Sequence, residues 1–180
     1  MFSNNFNKYI NSIRDDYDFI KKFAKPRNGL CGVELTDITE LPYQTLKHKI
    51  PDSFKEGRFE RAMYLILKHY GKNVTFGKVK RARNTHKLCF LLWIKEYEKI
   101  GKMEEQYLYS PPDAKLLQAG IKELDVLEDY NLIDNLAHGD ILKWNKIRKM
   151  PYSEIFNKQL KNTIENRINK KLVELNKTHK

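Results

Sequence analysis

The sequence contains few of the residues that cross-link or interrupt small proteins, and it has no long apolar run. Of its 180 residues, 2 are cysteine, 6 are proline and 8 are glycine. Cys31 and Cys89 are far apart, and we interpret both as reduced thiols. The longest nearly apolar run, residues 88–94, is much shorter than the roughly 20 residues that cross a bilayer. Together with an N-terminus unlike a signal peptide, this predicts a protein made in a cytoplasm, without disulfides or a membrane partner.

The sequence also lacks the spacings that mark nucleotide, metal or catalytic sites. Its nearest approach to a phosphate-binding loop, residues 71–79, has five residues between the glycines and Val79 where a hydroxyl group should bind magnesium. The five histidines are scattered, so a zinc site would have to be assembled from remote residues. His138 and Asp140 resemble a base with its orienting carboxylate, but Asp140 is better placed to cap a helix. We predict that the protein is not an enzyme and has no catalytic residues, metal site or cofactor.

Apolar residues recur at helical spacing along most of the sequence, and no stretch of six residues alternates as a strand would. An N-terminal amphipathic stripe predicts a seam that docks on another helix, in this chain or a neighbouring subunit: Phe6, Ile10, Ile13, Tyr17 and Ile20. Residues 151–175 predict a long helix whose apolar residues, at steps of four, turn gradually round its axis. The predicted fold class is all-α, an irregular multi-helix bundle with an N-terminal amphipathic arm and a long C-terminal helix.

Prolines, glycines and capping residues divide the sequence into three predicted segments. These are an N-terminal amphipathic helix or arm (1–29), a helical core (30–150) and a projecting basic C-terminal helix (151–180). The core is expected to contain four helices. The first is ended by Pro51, and the second covers 53–70, starting at a capping box and containing Gly57. The third is a buried helix over 88–100 ended by Gly101, and the fourth follows Ser110 and has the stripe Leu117, Ile121 and Leu124. Strands are limited to a hairpin of residues 30–35 with 73–76.

The net charge of +11 is separated into blocks. Residues 72–102 contain nine basic and two acidic residues, residues 103–140 contain two and nine, and residues 141–180 contain eleven and three. The first block contains a candidate patch for DNA or an acidic partner: Lys78, Lys80, Arg81, Arg83 and Lys87. The acidic block contains a second candidate interaction patch: Glu123, Asp125, Glu128, Asp129 and Asp134.

Three interpretations of these blocks stay open. A nucleic-acid-binding protein needs a basic face, because its affinity comes from neutralising phosphates. Copies that pack head to tail use a basic and an acidic surface as complements. The blocks are also compatible with solvated faces that pair within one molecule. Residues 78–87 contain no aromatic residue, which argues against base stacking there, and the acidic block favours contact with proteins.

The C-terminal third has helix starts and breaks in a characteristic order: Ser110-Pro-Pro-Asp113, Ala119-Gly-Ile121, Leu136-Ala-His-Gly-Asp-Ile-Leu-Lys-Trp144 and Met150-Pro-Tyr-Ser-Glu-Ile-Phe156. Over residues 108–160 the chain resembles small helical proteins of tailed bacteriophages, in particular the head-to-tail connector or tail-assembly proteins of crAss-like gut phages. The resemblance implies a structural virion protein, an oligomeric ring between portal and tail, or an assembly factor for that region. It transfers no catalytic residue.

The same resemblance implies a set of partners and a location. The partners would be copies of the chain in a ring, portal and tail proteins, and packaged DNA in non-specific contact. The location would be the host cytoplasm during assembly and then the virion. Two alternatives remain, which are a basic nucleic-acid-binding regulatory protein and a non-virion tail-assembly chaperone.

Overall fold

The computed structural model describes residues 27–94, 98–109, 111, 114–127 and 129–178. The predicted docking seam of Phe6, Ile10, Ile13, Tyr17 and Ile20 lies outside the described residues. The chain forms two compact units, Met1–Gly101 and Lys102–Lys180, which we call the first and second units. The three segments predicted from the sequence stay a prediction, because the arm that defines the first of them is not described.

The described part of the first unit is helical apart from one small hairpin. Gly29–Leu30 (β1) pairs antiparallel with Val33–Glu34 (β2). The helical elements are a 3-10 turn at Ile38–Glu40, a π-helical turn at Thr45–Lys49, Ile50–Lys55 (α1), Phe59–Tyr70 (α2), Phe76–Arg81 (α3), Asn84–Ile94 (α4) and the start of Glu98–Leu108 (α5), which spans the boundary between the units.

The hairpin closes on itself and does not pair with residues 73–76 as predicted. Cys31 and Gly32 both have left-handed backbone angles, with φ of 57° and 78°, which is the requirement of a two-residue turn that matches the twist of the strands. Residues 73–76 instead lead into α3, whose first turn is capped by the Thr75 hydroxyl accepting from the Lys78 amide at 3.3 Å. The predicted pairing was wrong because the two-residue turn lets residues 29–30 hydrogen-bond with residues 33–34 of the same segment.

Two helix boundaries near residue 55 differ from the prediction. Pro51 is the second residue of α1 and does not end a helix, since the π-helical turn before it continues directly into α1. Ser53 is not a cap, because it is buried inside α1 and its hydroxyl donates to the Lys49 carbonyl at 2.7 Å. Gly57, with φ of 71°, ends that helix, so the predicted helix over 53–70 is two helices, α1 and α2.

Gly101 does not end a helix either. The described part of α4 reaches Ile94, and α5 runs from Glu98 to Leu108 through Gly101. A glycine inside a helix costs about 1 kcal/mol relative to alanine, which eleven residues of helix can offset. The predicted burial of this region is confirmed for α4, which contributes Leu88, Phe90, Leu91 and Ile94 to the core.

The core of the first unit lies where α2 and α4 meet the shorter helices. α2 buries one face, and the largest fully buried side chains of the unit include Leu35, Leu41, Leu46, Ile50, Met63, Ile66, Leu67, Val79, Phe90 and Leu91. The spacing of Met63, Ile66 and Leu67 is that of one helix face. This core makes α2 and α3 neighbours, and their outer surfaces form the first candidate site.

The second unit has a smaller core and a long helix. Its elements are the rest of α5, Ala114–Gln118 (α6), a 3-10 segment at Ile121–Leu127, Tyr130–Ala137 (α7), a 3-10 turn at Ile141–Lys143, Trp144–Arg148 (α8) and Tyr152–Thr178 (α9). The buried side chains are Ile133, Ala137, Ile147, Tyr152, Ile155 and Phe156. The predicted all-α class and long C-terminal helix are confirmed.

The stripe predicted after Ser110 does not form a buried helix face. Gly120 has φ of 85° and separates α6 from the 3-10 segment, so the residues on either side do not share one helix. Leu117 and Leu124 are exposed, and the prediction was wrong at this point. By contrast, the predicted break before residue 140 is confirmed, because His138 is left-handed and Asp140 Oδ1 accepts from the Leu142 amide at 3.0 Å.

Tyr70 gives the first unit a distinct dependence on alkaline pH. Its hydroxyl donates to the Asp37 carbonyl, and burial, together with the charges of Asp37 and Glu40, raises the pKa of Tyr70 to about 12. The neutral phenol is therefore favoured by the fold, and the unfolded phenol ionises near its ordinary pKa of about 10. We expect this contribution to be intact below pH 10 and lost between pH 10 and 12. Urea unfolding across that window should show a smaller loss of stability for Tyr70→Phe than for the wild type, and equal slopes would contradict the assignment.

Candidate interaction surfaces

The predicted basic patch is mostly exposed on and just after α3. Lys78, Lys80 and Arg81 lie on α3, and Arg83 follows it, all with exposed side chains. Lys78 Nζ donates to the Asn73 carbonyl at 2.9 Å, so its ammonium group is partly held by the turn before the helix. Four of the five predicted residues are thus exposed on or directly after α3.

Lys87 does not belong to this surface. It is 7% exposed, its Nζ donates to the Lys80 carbonyl at 2.9 Å, and it forms an ion pair with Glu60 Oε1 at 3.4 Å. A buried ammonium group requires such partners, because losing water without them is costly. Lys87 therefore joins α4 to α2 and α3, and its prediction as a contact residue is corrected.

Two aromatic rings lie beside the basic surface, although the basic run itself contains none. The ring centroids of Tyr64, on α2, and Phe76, on α3, are 5.8 Å apart with planes at 65°. Lys80 Nζ lies 5.0 Å from the centre of the Phe76 ring, and Lys68 Nζ lies 5.6 Å from that of Tyr64. In the sequence, the four-residue spacing of Phe76 and Lys80 was the signal that could have indicated a contact between them. Tyr64 is far away in the sequence, and the packing of α2 on α3 places it next to Phe76.

These rings line an open groove between α2 and α3, which we call the aromatic–basic groove. Its volume is about 610 Å³, and its walls include Arg58, Glu60, Arg61, Tyr64, Phe76 and Lys80. Glu60 is paired with the buried Lys87, and Arg58 is in contact with Glu56. Arg61 and Lys80 have exposed side chains. The groove thus combines aromatic surface with positive charge.

A second cavity of the first unit, about 640 Å³, is lined in part by Cys31 and His86 beside the hairpin. Burial raises the pKa of the Cys31 thiol, and the charges of Lys78 and Lys87 oppose this more weakly. A thiol with a raised pKa is mostly protonated at neutral pH and is a poor nucleophile. This cavity therefore has no activated cysteine, despite its nearby imidazole.

The acidic residues predicted as one patch have separate roles in the second unit. Glu123 and Asp125 are exposed on the 3-10 segment, whereas Asp129 is half-buried at the start of α7. Asp134 Oδ1 accepts a hydrogen bond from Trp144 Nε1 at 3.2 Å. Glu128 lies outside the described residues. Two of the five are thus placed for contact with a partner, and Asp134 holds α7 to α8.

Exposed apolar side chains accompany Glu123 and Asp125. Val126 is 82% exposed, and Leu124 and Leu127 are exposed as well. The segment is tied to α7 by Asn131, whose Nδ2 donates to the Leu124 carbonyl at 2.9 Å. Grouped apolar surface of this kind, rimmed by charge, is typical of a protein contact site. We call Ile121–Leu127 the acidic–apolar segment.

The second half of α9 also exposes apolar residues. Its beginning is held by the buried Tyr152, Ile155 and Phe156 and by a hydrogen bond from the Tyr152 hydroxyl to Glu104 at 2.8 Å. Further along lies a set of half-exposed side chains that we call the α9 stripe: Ile164, Ile168, Leu172 and Leu175, at 45%, 52%, 51% and 57% exposure. These side chains are an apolar surface that the fold leaves uncovered.

The α9 stripe is narrower than the sequence pattern indicated. Its steps are four, four and three residues, and eleven residues make just over three turns, so Leu175 returns to about 20° from Ile164. The predicted gradual rotation holds as far as Leu172 and is then reversed. All four side chains lie within roughly a quarter of the helix circumference, which suits docking on a single partner surface.

Charged residues of both signs border the stripe. Lys161 lies in line with it, one turn before Ile164, and its Nζ is 3.5 Å from Glu165 Oε1. Lys171 lies about 20° outside one edge of the stripe, and Glu165 lies about 20° outside the other. Arg167 Nη2 donates to the carbonyls of Tyr107 and Tyr109 at 3.2 and 3.3 Å, so one flank of α9 is fixed to the end of α5. The opposite flank and the stripe itself remain accessible.

The described residues contain no group of three His, Cys, Asp or Glu side chains arranged to hold a metal ion. His86 and Cys89 do have the three-residue spacing of helical metal ligands, which the sequence reasoning overlooked, but two ligands alone do not make such a group.

Across the part of the chain that the structure describes, no helix has the length and apolar character needed to span a membrane. Comparison with family models, curated proteins and solved structures finds no match.

Proposed function

We propose that this protein is a structural component that assembles head to tail with copies of itself, as in the connector rings of tailed bacteriophages. The observation that carries the proposal is the α9 stripe, an apolar surface on a helix of 27 residues that the fold leaves half-exposed. Apolar side chains grouped on one exposed helix face are costly to keep in water and are typical of a site that a partner covers.

The partner surface is the acidic–apolar segment of a neighbouring copy. Lys171 and the Lys161–Glu165 ion pair border the α9 stripe, and the acidic–apolar segment carries Glu123 and Asp125 among its exposed apolar residues. Opposite charges around apolar centres favour this pairing over pairing of like surfaces. Because the two surfaces differ, the contact is heterologous, and repeating it around an axis generates a ring.

The phage connector role rests on the resemblance over residues 108–160. That range includes the whole acidic–apolar segment and the start of α9, and it ends before the α9 stripe, which begins at Ile164. Under this proposal the portal and tail proteins are the axial neighbours, and the ring is built in the host cytoplasm and retained in the virion. The exposed basic residues of α3 would be available to packaged DNA.

A charge-exchange experiment tests the contact directly. Glu123→Lys with Asp125→Lys gives one variant, and Lys161→Glu with Lys171→Glu gives another. Each variant alone should be monomeric in native mass spectrometry, because like charges would face each other across the contact, at a cost of several kcal/mol. An equimolar mixture should assemble with the two variants alternating, since opposite charges then meet at every contact.

The matched control is Lys149→Glu with Lys158→Glu, which reverses two exposed charges of the same unit away from the stripe. It should assemble as the wild type does. Variants that assemble on their own, or a mixture that stays monomeric, would refute the head-to-tail contact. A monomer that instead forms a stable complex with another protein would support the chaperone alternative.

A further inference from the structure

We propose that the aromatic–basic groove between α2 and α3 binds single-stranded nucleic acid, with an unpaired base stacked on Phe76 or Tyr64. This goes beyond the assembly role, because the groove lies in the first unit and the proposed contact surfaces lie in the second. The shared chemistry of the ligand is a phosphate backbone with an exposed base, in DNA or RNA.

Aromatic surface at the groove is the first observation behind this assignment. Phe76 is 39% exposed although it is a large apolar side chain in a six-residue helix, and Tyr64 lies at an angle to it in the same groove. Exposed rings beside cations are the usual platform for unpaired bases, because every base offers a face that can stack. A duplex keeps its bases paired and cannot use these rings.

The positions of the lysines are the second observation. Lys80 and Lys68 place their ammonium groups over the Phe76 and Tyr64 rings. Such a contact is weak at an exposed site, and a base stacked on the same ring is more favourable. A base that stacks on the ring therefore displaces the lysine ammonium group. The ammonium group can then pair with a neighbouring phosphate, so the ligand gains a stacking contact and its phosphate charge is neutralised.

Charge in the groove is the third observation. Glu60 is the acidic residue of its wall, and the buried Lys87 offsets its charge through their ion pair. Exposed Arg61 and Lys80 then give the groove a positive character, and Lys68 adds to it one helical turn from Tyr64. These two exposed cations of the groove wall, with Lys68 beside Tyr64, match the phosphates of a few nucleotides.

Fluorescence anisotropy with labelled dT12, rU12 and a 12-base-pair duplex tests the proposal. The wild-type chain should bind the single strands more tightly than the duplex, with log Kd rising by about two for a tenfold rise in salt if three phosphates are neutralised. Phe76→Leu keeps an apolar side chain but removes the ring, and should weaken single-strand binding about tenfold. The tighter of dT12 and rU12 identifies the natural source of the strand.

Lys80→Gln should lower the salt slope by about 0.7, whereas Lys149→Gln, an equal loss of charge in the second unit, should change neither affinity nor slope. Circular dichroism melts establish that each variant is folded. Unchanged binding by Phe76→Leu, or a duplex bound as tightly as the single strands, would overturn the proposal.

If Phe76→Leu does not fold, photocrosslinking of the wild type to a 5-bromouracil oligonucleotide decides the question: adducts in α2 or α3 support the groove, and adducts elsewhere refute it.

Discussion

Ile168→Asp is expected to leave the monomer folded and to dissociate its assemblies. Ile168 lies in the middle of the α9 stripe and is 52% exposed, so a carboxylate there stays hydrated in the single chain. In the proposed contact the same carboxylate would be removed from water among apolar side chains, with a penalty of several kcal/mol. A loss of about 3 kcal/mol per contact lowers each association constant by roughly a hundredfold.

The neighbouring residue offers a matched control for this prediction. Asn169 is exposed and lies about 100° further round the helix than Ile168, away from the stripe. Asn169→Asp introduces the same charge at almost the same height on α9 and should leave assembly unchanged. Sedimentation velocity of both variants at equal concentration separates them, and an Ile168→Asp variant that sediments with the wild type would remove the α9 stripe from the contact.

Phe90→Ala is expected to destabilise the first unit by about 3–5 kcal/mol, the usual cost of removing a buried phenyl ring. Phe90 is fully buried on α4, and its ring stacks on Trp93 with centroids 6.0 Å apart and planes at 16°. Alanine would leave a cavity between α4 and the residues around it. Because Trp93 touches the altered site, its fluorescence should report the loss of packing directly.

Urea unfolding in a Trp144→Phe background measures this effect, since the remaining tryptophan belongs to the first unit. Phe90→Leu, which keeps most of the apolar volume, should cost less than half as much as alanine. A change below 1 kcal/mol for Phe90→Ala would mean that α4 is not the centre of this core.

The parts of the fold that the sequence predicts well are those set by local chemistry. The long helix α9 follows from its uninterrupted helical periodicity, and Asp140 caps a helical turn because a carboxylate after a left-handed residue has an amide within reach. The absence of strand alternation predicts the all-α class for the same reason. In each case a few neighbouring residues decide the outcome.

Breaks between helices were less predictable, because the same residue type acts differently in different surroundings. Gly57 ends a helix with a positive φ, whereas Gly101 continues one. Pro51 was expected to end a helix and instead lies in the first turn of one. The packing of the following apolar residues decides between these outcomes, and it depends on distant parts of the chain.

Candidate sites are affected by the same limit of local information. In the sequence, Lys87 is one of several basic residues in a row. Its burial and its ion pair with Glu60 on α2, which only the folded structure shows, identify it as a structural residue. Tyr64 and Phe76 are separated in sequence, and only the packing of α2 on α3 places them together beside Lys80. The exposed α9 stripe, by contrast, follows from sequence spacing once Leu175 is included.

Light scattering coupled to size exclusion chromatography of the wild-type chain, across a concentration series at low and high salt, tests the central claim most directly. We predict one discrete assembly of several copies that shifts towards the monomer of 21.5 kDa as salt weakens the charged rim of the contact. A monomer at every concentration and salt would contradict assembly through the α9 stripe.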